Sequence, residues 1–382
     1  MSTGPSLITR TAPGLWQKLG DLPWLLVIML CALTAVGAAM LYSAADGNMA
    51  PWSNRHTVRF AACLGGALVI ALIDIRLWFR YAYVLYGAAL VLLIAVEVAG
   101  SVGMGAQRWI NLGVMKLQPS ELMKVALVLG LARCFHGLSA ETVRKPLLLV
   151  MPVLLVTVPA VFVLKQPDLG TTVMLVAAGA MMFFAAGVPL WLFGLGSGAA
   201  MAVLPVAWQF LHDYQRQRVL TFLDPSIDPL GSGYHITQSK IALGSGGLFG
   251  KGFLHGTQSH LNFLPEKQTD FIFTMYAEEF GLVGTLALLG LYTAVIVYGV
   301  VVAVTTRHHF GRLLAIGVTS TFFLYACINM AMVMGLIPVV GVPLPLISYG
   351  GSAMLSVMVG FGLLMCVSVH RHVVLRRQSL GE

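Results

Sequence analysis

Leu22-Pro-Trp-Leu-Leu-Val-Ile-Met-Leu-Cys-Ala-Leu-Thr-Ala-Val-Gly-Ala-Ala-Met-Leu-Tyr42 runs without a single charged side chain. About 20 apolar residues in a helix cross the hydrocarbon core of a bilayer. The apolar core of a secretory signal is shorter, about 7–15 residues, and is followed by a small-residue cleavage site. No such site is evident here. The stretch therefore reads as a first membrane span that also serves as an uncleaved signal anchor.

The rest of the chain repeats this character. Of 382 residues, 58% are hydrophobic and 10% charged, and the mean hydropathy is +0.85. A soluble domain carries about 25% charged residues. A chain with so few could not cover itself in water, but in lipid its exterior can be apolar. Only helices and closed barrels satisfy their backbone polar groups there. Barrel strands alternate in segments of about ten residues, whereas the apolar runs here are long and unbroken. The expected fold is an all-α polytopic membrane protein.

About ten transmembrane helices are expected, over 22–43, 56–74, 78–98, 119–136, 146–164, 169–187, 189–210, 271–304, 311–335 and 351–370. Gly187-Val-Pro189 would join two of them as a tight helical hairpin. An even count puts both termini on one side, and positive residues favour the inside. With cytoplasmic termini, the short inside segments hold Arg10, Lys18, Arg76, Arg80, Arg133, Arg144, Lys145, Arg307, Arg312, Arg371, Arg376 and Arg377. The short outside segments hold Arg55, Arg59, Arg108, Lys116 and Lys165. Cytoplasmic termini follow.

Between helices 7 and 8 lies one large extracytoplasmic loop, residues 211–270. It is rich in glycine and contains Pro225, Pro229 and Pro265. Loops this long inside compact proteins are often functional. Ile236–Gly244 reads as one short amphipathic helix on the membrane surface. The whole of 1–382 reads as a single membrane domain. Cys31, Cys63, Cys134, Cys327 and Cys366 lie in or beside apolar runs with no Cys-x-x-Cys pair. They read as small packing residues. The net charge of +8 comes without a basic run, which argues against nucleic acid.

Polar groups at membrane depth are costly and each needs a reason. Four groups gather at the outer ends of the expected spans. The first contains Arg108, Trp109 and, on the following helix, Glu121 and Lys124. The last two are three residues apart, share a helix face and can form a structural ion pair. Trp109 suits an interfacial anchor, and Arg108 a lipid phosphate. The second group is Gln166-Pro-Asp-Leu-Gly-Thr-Thr172, where Asp168 is placed to cap a helix. The third ends in Asp270, where water gives way to an apolar helix. That carboxylate reads as an N-cap or as a general base. Glu278 and Glu279 read as structural. The fourth is Pro338 through Ser352, whose prolines forbid continuous helix. Irregular backbone at this depth is tolerated where protein covers it or it lines a cavity. Arg216, Arg218, Lys240, Lys251 and Lys267 read as a solvated face or, around a cavity, as a pyrophosphate site.

These residues resemble the SEDS family, on its RodA-like, elongation-type side more than its FtsW, division-type side. The resemblance is carried by Gln107-Arg-Trp-Ile-Asn-Leu-Gly113, Gln118-Pro-Ser-Glu-Leu-Met-Lys124 and Gln166-Pro-Asp-Leu-Gly-Thr-Thr172. It continues through Asp213-Tyr-Gln-Arg-Gln-Arg218, Gly231–Lys240 and Gly244–Gly252. It ends with Leu264-Pro-Glu-Lys-Gln-Thr-Asp-Phe-Ile-Phe273 and Pro343-Leu-Pro-Leu-Ile-Ser-Tyr-Gly-Gly-Ser352. The stretch Gly256–Phe263 looks elongation-type. Gln268 stands where the family pattern leads one to expect histidine.

The resemblance implies a peptidoglycan glycosyltransferase that polymerises lipid II during cell elongation at the outer face of the cytoplasmic (inner) membrane. It implies that Asp270 is catalytic, as base or as a metal-holding carboxylate. It marks Arg108, Trp109, Arg216, Arg218, Lys240, Lys251, Glu266 and Ser348 as substrate-binding candidates. No cofactor is required, although a divalent cation would suit the pyrophosphate. The implied partners are a class B penicillin-binding protein, which supplies the transpeptidase, and other elongation-complex membrane proteins. Two other readings compete: a lipid II flippase, and a non-catalytic scaffold for the penicillin-binding protein. A flippase needs a polar path through the whole bilayer, and the inner halves of these spans hold few charges.

Overall fold

The computed structural model describes residues 14–103, 106–111, 116–139, 141–210, 213–224, 228, 232–260 and 266–375. Arg10, Gly105, Gly113, Pro225, Pro229, Gly231, the segment 261–265, Arg376 and Arg377 lie outside these residues, as does the side chain of Arg218.

A helix occupies each of the ten expected apolar segments. In chain order the helices are α1 (Leu15–Gly20), α2 (Trp24–Ala44), α3 (Ser53–Leu72), α4 (Ile75–Ala99), α5 (Pro119–Gly137), α6 (Val150–Lys165), α7 (Leu169–Ala185) and α8 (Leu190–Phe210). They continue as α9 (Asp213–Leu223), α10 (Ser232–Ser245), α11 (Thr257–His260), α12 (Ile272–Thr305), α13 (His309–Val333) and α14 (Gly351–Val369). Among the described residues, seven helical segments are long and apolar enough to cross a membrane. They are Trp24–Ala44, Ser53–Leu72, Ile75–Val98, Pro146–Lys165, Ile272–Thr305, His309–Val333 and Gly351–Val369. The chain is a multi-pass membrane protein.

Local chemistry sets several helix ends. Pro119 opens α5 at its first turn, where the missing N–H costs nothing. Asp74 accepts from Arg76 N at 2.8 Å to start α4. His308 Nδ1 accepts from Gly311 N at 2.8 Å to start α13. Gly187, at φ 87°, makes the turn between α7 and α8. Helices α5, α13 and α14 are the most enclosed. Outer faces such as Val84 and Val91 on α4 or Val297 and Val301 on α12 stay exposed and apolar, as lipid contact requires.

Four features depart from the sequence reading. First, the fold is not purely helical. Strands β1 (Ser101–Gly103), β2 (Ala106–Asn111) and β3 (Lys116–Leu117) form a small antiparallel sheet in that order. Second, the long loop is not one surface helix among irregular chain. It carries α9, α10 and α11, and α10 buries Ile236, Ser239 and Ala242 against α12 and α13. Third, the expected span 271–304 is broken at Gly281, whose φ of 64° and ψ of −162° are not helical. Fourth, Asp270 is not the cap of α12. That position belongs to Phe271, and no side chain caps it.

The proline-rich segment between α13 and α14 runs as irregular chain through the protein interior. Val342, Leu344, Leu346 and Ile347 are buried. Its carbonyls find partners from three helices. Tyr292 OH donates to Pro345 O at 2.6 Å, His56 Nε2 lies 3.1 Å from Leu346 O, and Asn329 Nδ2 donates to Val342 O at 2.7 Å. Gly37 lets α2 approach: a Cβ there would sit 2.6 Å from Leu346 O. The prolines exclude helix, and the surrounding helices supply the hydrogen bonds that helix would have supplied.

Candidate functional site

The turn 266–271 rests on that irregular segment. Three consecutive carbonyls of the turn are taken. Gln268 O accepts from Tyr349 N at 2.8 Å, Thr269 O from Ser348 Oγ at 2.6 Å, and Asp270 O from Asn329 Nδ2 at 2.9 Å. Ser348 Oγ also accepts from Leu344 N at 2.8 Å. Ser348 thus holds backbone on both sides and braces the turn. Gln268 contributes its carbonyl to this bracing, a role any residue can fill.

Above the junction opens a cavity of about 590 Å³. Its lining includes Asp270, Glu266 and Thr269 from the turn, and Gly341, Pro343, Tyr349 and Ser352 from the irregular segment and α14. Arg108 and Trp109 from β2, Glu121 and Lys124 from α5, and Asp168 and Thr171 at the start of α7 complete it. All four polar groups singled out in the sequence converge here. Asp270 is half-buried, and its Oδ2 lies 3.4 Å from where a Cβ on Gly341 would be. Glu266 has a φ of 60°, a left-handed conformation that non-glycine residues adopt at a cost of order 1–3 kcal/mol.

Each wall has its own support. Asp168 caps α7: Thr171 N donates to Oδ1 at 3.1 Å and Thr171 Oγ1 to Oδ2 at 3.0 Å. Gln118 Nε2 donates to the same Oδ2 at 3.1 Å, and Arg108 Nη1 lies 3.8 Å away. Arg108 Nε also donates to Gln166 O at 2.9 Å. Deeper in, Lys124 Nζ and Glu121 Oε1 are 2.8 Å apart, both almost fully buried. Tyr325 OH donates to Glu121 and accepts from Lys124, and Ser356 Oγ donates to Glu121 Oε2 at 2.7 Å. A buried pair is tolerated when further hydrogen bonds satisfy both ions, as here.

The loop's basic residues are placed differently. Lys251 Nζ bonds Glu278 Oε1 at 2.8 Å. Arg216 donates to Trp208 O at 3.0 Å and Gln209 O at 2.7 Å. Lys240 packs against Gly335. None of these three lines the cavity. Glu278 and Glu279 are buried and bonded, the latter to Ser43 Oγ at 2.5 Å. Tyr325 and Asn329 were not singled out in the sequence. Their signal was there: two polar residues four apart in the apolar α13, hence on one face.

Similarity to known proteins agrees with this geometry. Residues 22–373 match the cell cycle protein family FTSW_RODA_SPOVE. The chain is 44% identical over 362 residues to the peptidoglycan glycosyltransferase MrdB of Escherichia coli K12, covering 94% of this chain and 96% of that protein. It is 38% identical over 368 residues to the probable peptidoglycan glycosyltransferase FtsW of Trichlorobacter lovleyi, covering 92% and 94%. Among solved structures, a chain of a peptidoglycan synthase complex that coordinates polymerization and crosslinking matches with a TM-score of 0.80. Identity is 32%, over 92% of this chain and 98% of that one. The rod shape determining protein RodA of Thermus thermophilus matches with a TM-score of 0.69 and 29% identity, over 92% and 98%. With this similarity along nearly its whole length, and with a multi-pass helical fold that closes over a polar cavity, the chain belongs to the FtsW/RodA/SpoVE family, the SEDS proteins.

Proposed function

We propose that this chain is a peptidoglycan glycosyltransferase that polymerises lipid II, with Asp270 as its general base. The observation that carries the reading is the shared cavity: a half-buried carboxylate faces the same space as Arg108 and Trp109. Asp270 takes the proton from the acceptor sugar's 4-hydroxyl. That oxygen forms a bond to the anomeric carbon of the donor, and the donor's bond to polyprenyl pyrophosphate breaks. The α linkage inverts to β in one displacement. Pyrophosphate leaves with the electron pair and needs no strong acid. Arg108 is suited to the pyrophosphate charge, since a guanidinium matches phosphate oxygens. Trp109, Glu266 and the wall that Ser348 braces would contact sugar or peptide.

A divalent cation would share in neutralising the pyrophosphate, and Asp270, were it to hold that ion, would serve as a ligand rather than as the base. Among the described residues no three His, Cys, Asp or Glu side chains gather as a metal-holding group. The other ligands would therefore be phosphate oxygens and water. Arg216, Lys240 and Lys251 would act from outside the cavity on an approaching substrate, and the side chain of Arg218, the fourth basic candidate of the loop, lies outside the described residues.

In this reading ten helices span the cytoplasmic membrane: α2 to α8 and α12 to α14. Both termini are cytoplasmic, and 211–270 is extracytoplasmic within a single domain. The partner is a class B penicillin-binding protein, as the likeness to a synthase complex supports. The rival reading is lipid II transport. Purified protein with its partner and lipid II separates the two. Glycan strands are expected, and translocation of lipid II without polymer would favour the flippase.

A further inference from the structure

Helix α12 has two parts of different character. Ile272 to Glu279 are all buried in protein. Exposure begins just past the break at Gly281, with Leu282 49%, Val283 53% and Leu286 56% exposed. From Leu282 to Thr305 the rise of 1.5 Å per residue gives about 36 Å, more than the roughly 30 Å of hydrocarbon. The span therefore needs nothing before Leu282. Its first exposed residues mark the bilayer edge at the Asp270 end.

The turn after α10 is fastened to this edge. Leu282 N donates to Gly247 O at 3.0 Å and Val283 N to Leu248 O at 3.1 Å. Lys251 N donates to Glu278 O and Gly252 N to Glu279 O, both at 3.0 Å. The fit depends on glycine. A Cβ on Gly281 would lie 2.3 Å from Gly250 N, and one on Gly250 2.1 Å from Glu279 O. Between the two pairs of bonds the turn projects Leu248 and Phe249, 62% and 80% exposed. Ile241 and Phe253 nearby are also exposed. The only cation of the turn, Lys251, is held by Glu278.

We propose that Leu248 and Phe249 form a membrane anchor that dips into the leaflet at the Asp270 end of the bundle. Their apolar surface continues the lipid-facing surface of Leu282, Val283 and Leu286, and the turn is hydrogen-bonded to the first two of these. Two large apolar side chains held out on a rigid turn at the bilayer edge fit acyl chains better than water. The anchor fixes the depth of the buried segment Ile272–Glu279, and so of the turn that carries Asp270.

The test uses the full chain in vesicles of phosphatidylethanolamine and phosphatidylglycerol. Phe249→Trp adds an emission that is read as the difference from the unsubstituted chain. Interfacial anchors bury about 5–10 Å into the boundary between headgroups and acyl chains, so lipids brominated near the headgroup should lower that added emission by about twofold. Lipids brominated near the bilayer centre should lower it less, and aqueous acrylamide should hardly affect it. Quenching by acrylamide with no effect of bromine would place the tip in water and overturn the proposal. Shielding from both quenchers would mean that protein covers the tip, from this chain or a second copy, and would equally overturn it. Leu248→Trp gives a second reading of the same outcomes should Phe249→Trp not fold.

Discussion

Asn329 holds Asp270 through the main chain. Its Nδ2 donates to the Asp270 carbonyl at 2.9 Å and to the Val342 carbonyl at 2.7 Å. One amide on α13 thus ties the turn bearing the carboxylate to the irregular segment under it. Asn329→Leu leaves both carbonyls without that donor, and a buried unsatisfied group costs about 1–3 kcal/mol. A shift of about 1 Å at a reacting group can cost on the order of 100-fold in rate. Polymerisation rates measured against lipid II concentration should show kcat falling by one to two orders of magnitude with KM little changed. A purely structural role would instead reduce the amount of folded protein and leave kcat per folded molecule intact.

The pair Glu121–Lys124 gives a second prediction. Lys124→Met leaves Glu121 buried with only Tyr325 and Ser356 as donors. Removing one partner of a buried pair costs about 3–5 kcal/mol. Thermal unfolding in detergent should occur at a clearly lower temperature. Glu121→Gln added to Lys124→Met should recover much of the loss, because no uncompensated charge remains. A strictly additive loss in the double variant would contradict the pairing.

Gly281 is the joint between the buried and membrane-facing parts of α12. Its backbone lies where side chains are rarely tolerated, at an expected cost of order 1–3 kcal/mol. An added Cβ would also meet Gly250 N. Gly281→Ala should therefore release the 246–252 turn. Limited proteolysis should then cut that turn faster than in the unsubstituted chain, while the membrane helices stay protected.

At the far end of α13, burial pushes His308 down to about 4 from its ordinary 6.5; a hydrogen bond to the His370 backbone opposes this, and the charges of His136 and His370 add to it. The folded state then binds a proton less readily than the unfolded chain. Above about pH 6.5 the ring is neutral in both states and stability does not change on its account. As pH falls from 6.5 towards 4 the unfolded chain binds more protons, and stability is lost at up to about 1.4 kcal/mol per pH unit. His308→Asn keeps an acceptor for Gly311 N. It should flatten the acid limb of a stability profile measured by chemical unfolding between pH 7 and 4.

Much of this was legible in the chain before folding. Unbroken apolar length is what a bilayer demands, so each apolar segment became a helix. Asp168 at its cap and Glu121 beside Lys124 follow from local spacing, and the prolines after Pro338 mark irregular backbone. What was not legible depended on partners far away in sequence. The break at Gly281 exists because Gly250 lies against it, and hydropathy cannot register a backbone angle. Lys251 reads in the sequence as part of a solvated face or a pyrophosphate site, but Glu278, 27 residues on, holds it. Asp270 reads as a helix cap because it stands immediately before the expected span 271–304, whereas the helix begins at Ile272 and Phe271 takes the cap position. The bracing by Ser348, Tyr349 and Asn329 sets it in a turn instead. The small sheet around Trp109 rests on strands of two to six residues, too short to show a period.

The central claim is that the Asp270 carboxylate abstracts the acceptor's proton. Asp270→Asn keeps the size and shape of the side chain and removes the base. A positioned general base contributes about 100- to 10,000-fold in rate. Purified Asp270→Asn protein, with an unfolding temperature and partner binding equal to the unsubstituted chain, should yield no glycan polymer from lipid II beyond that residual level. Normal polymer yield from the same folded variant would contradict the account.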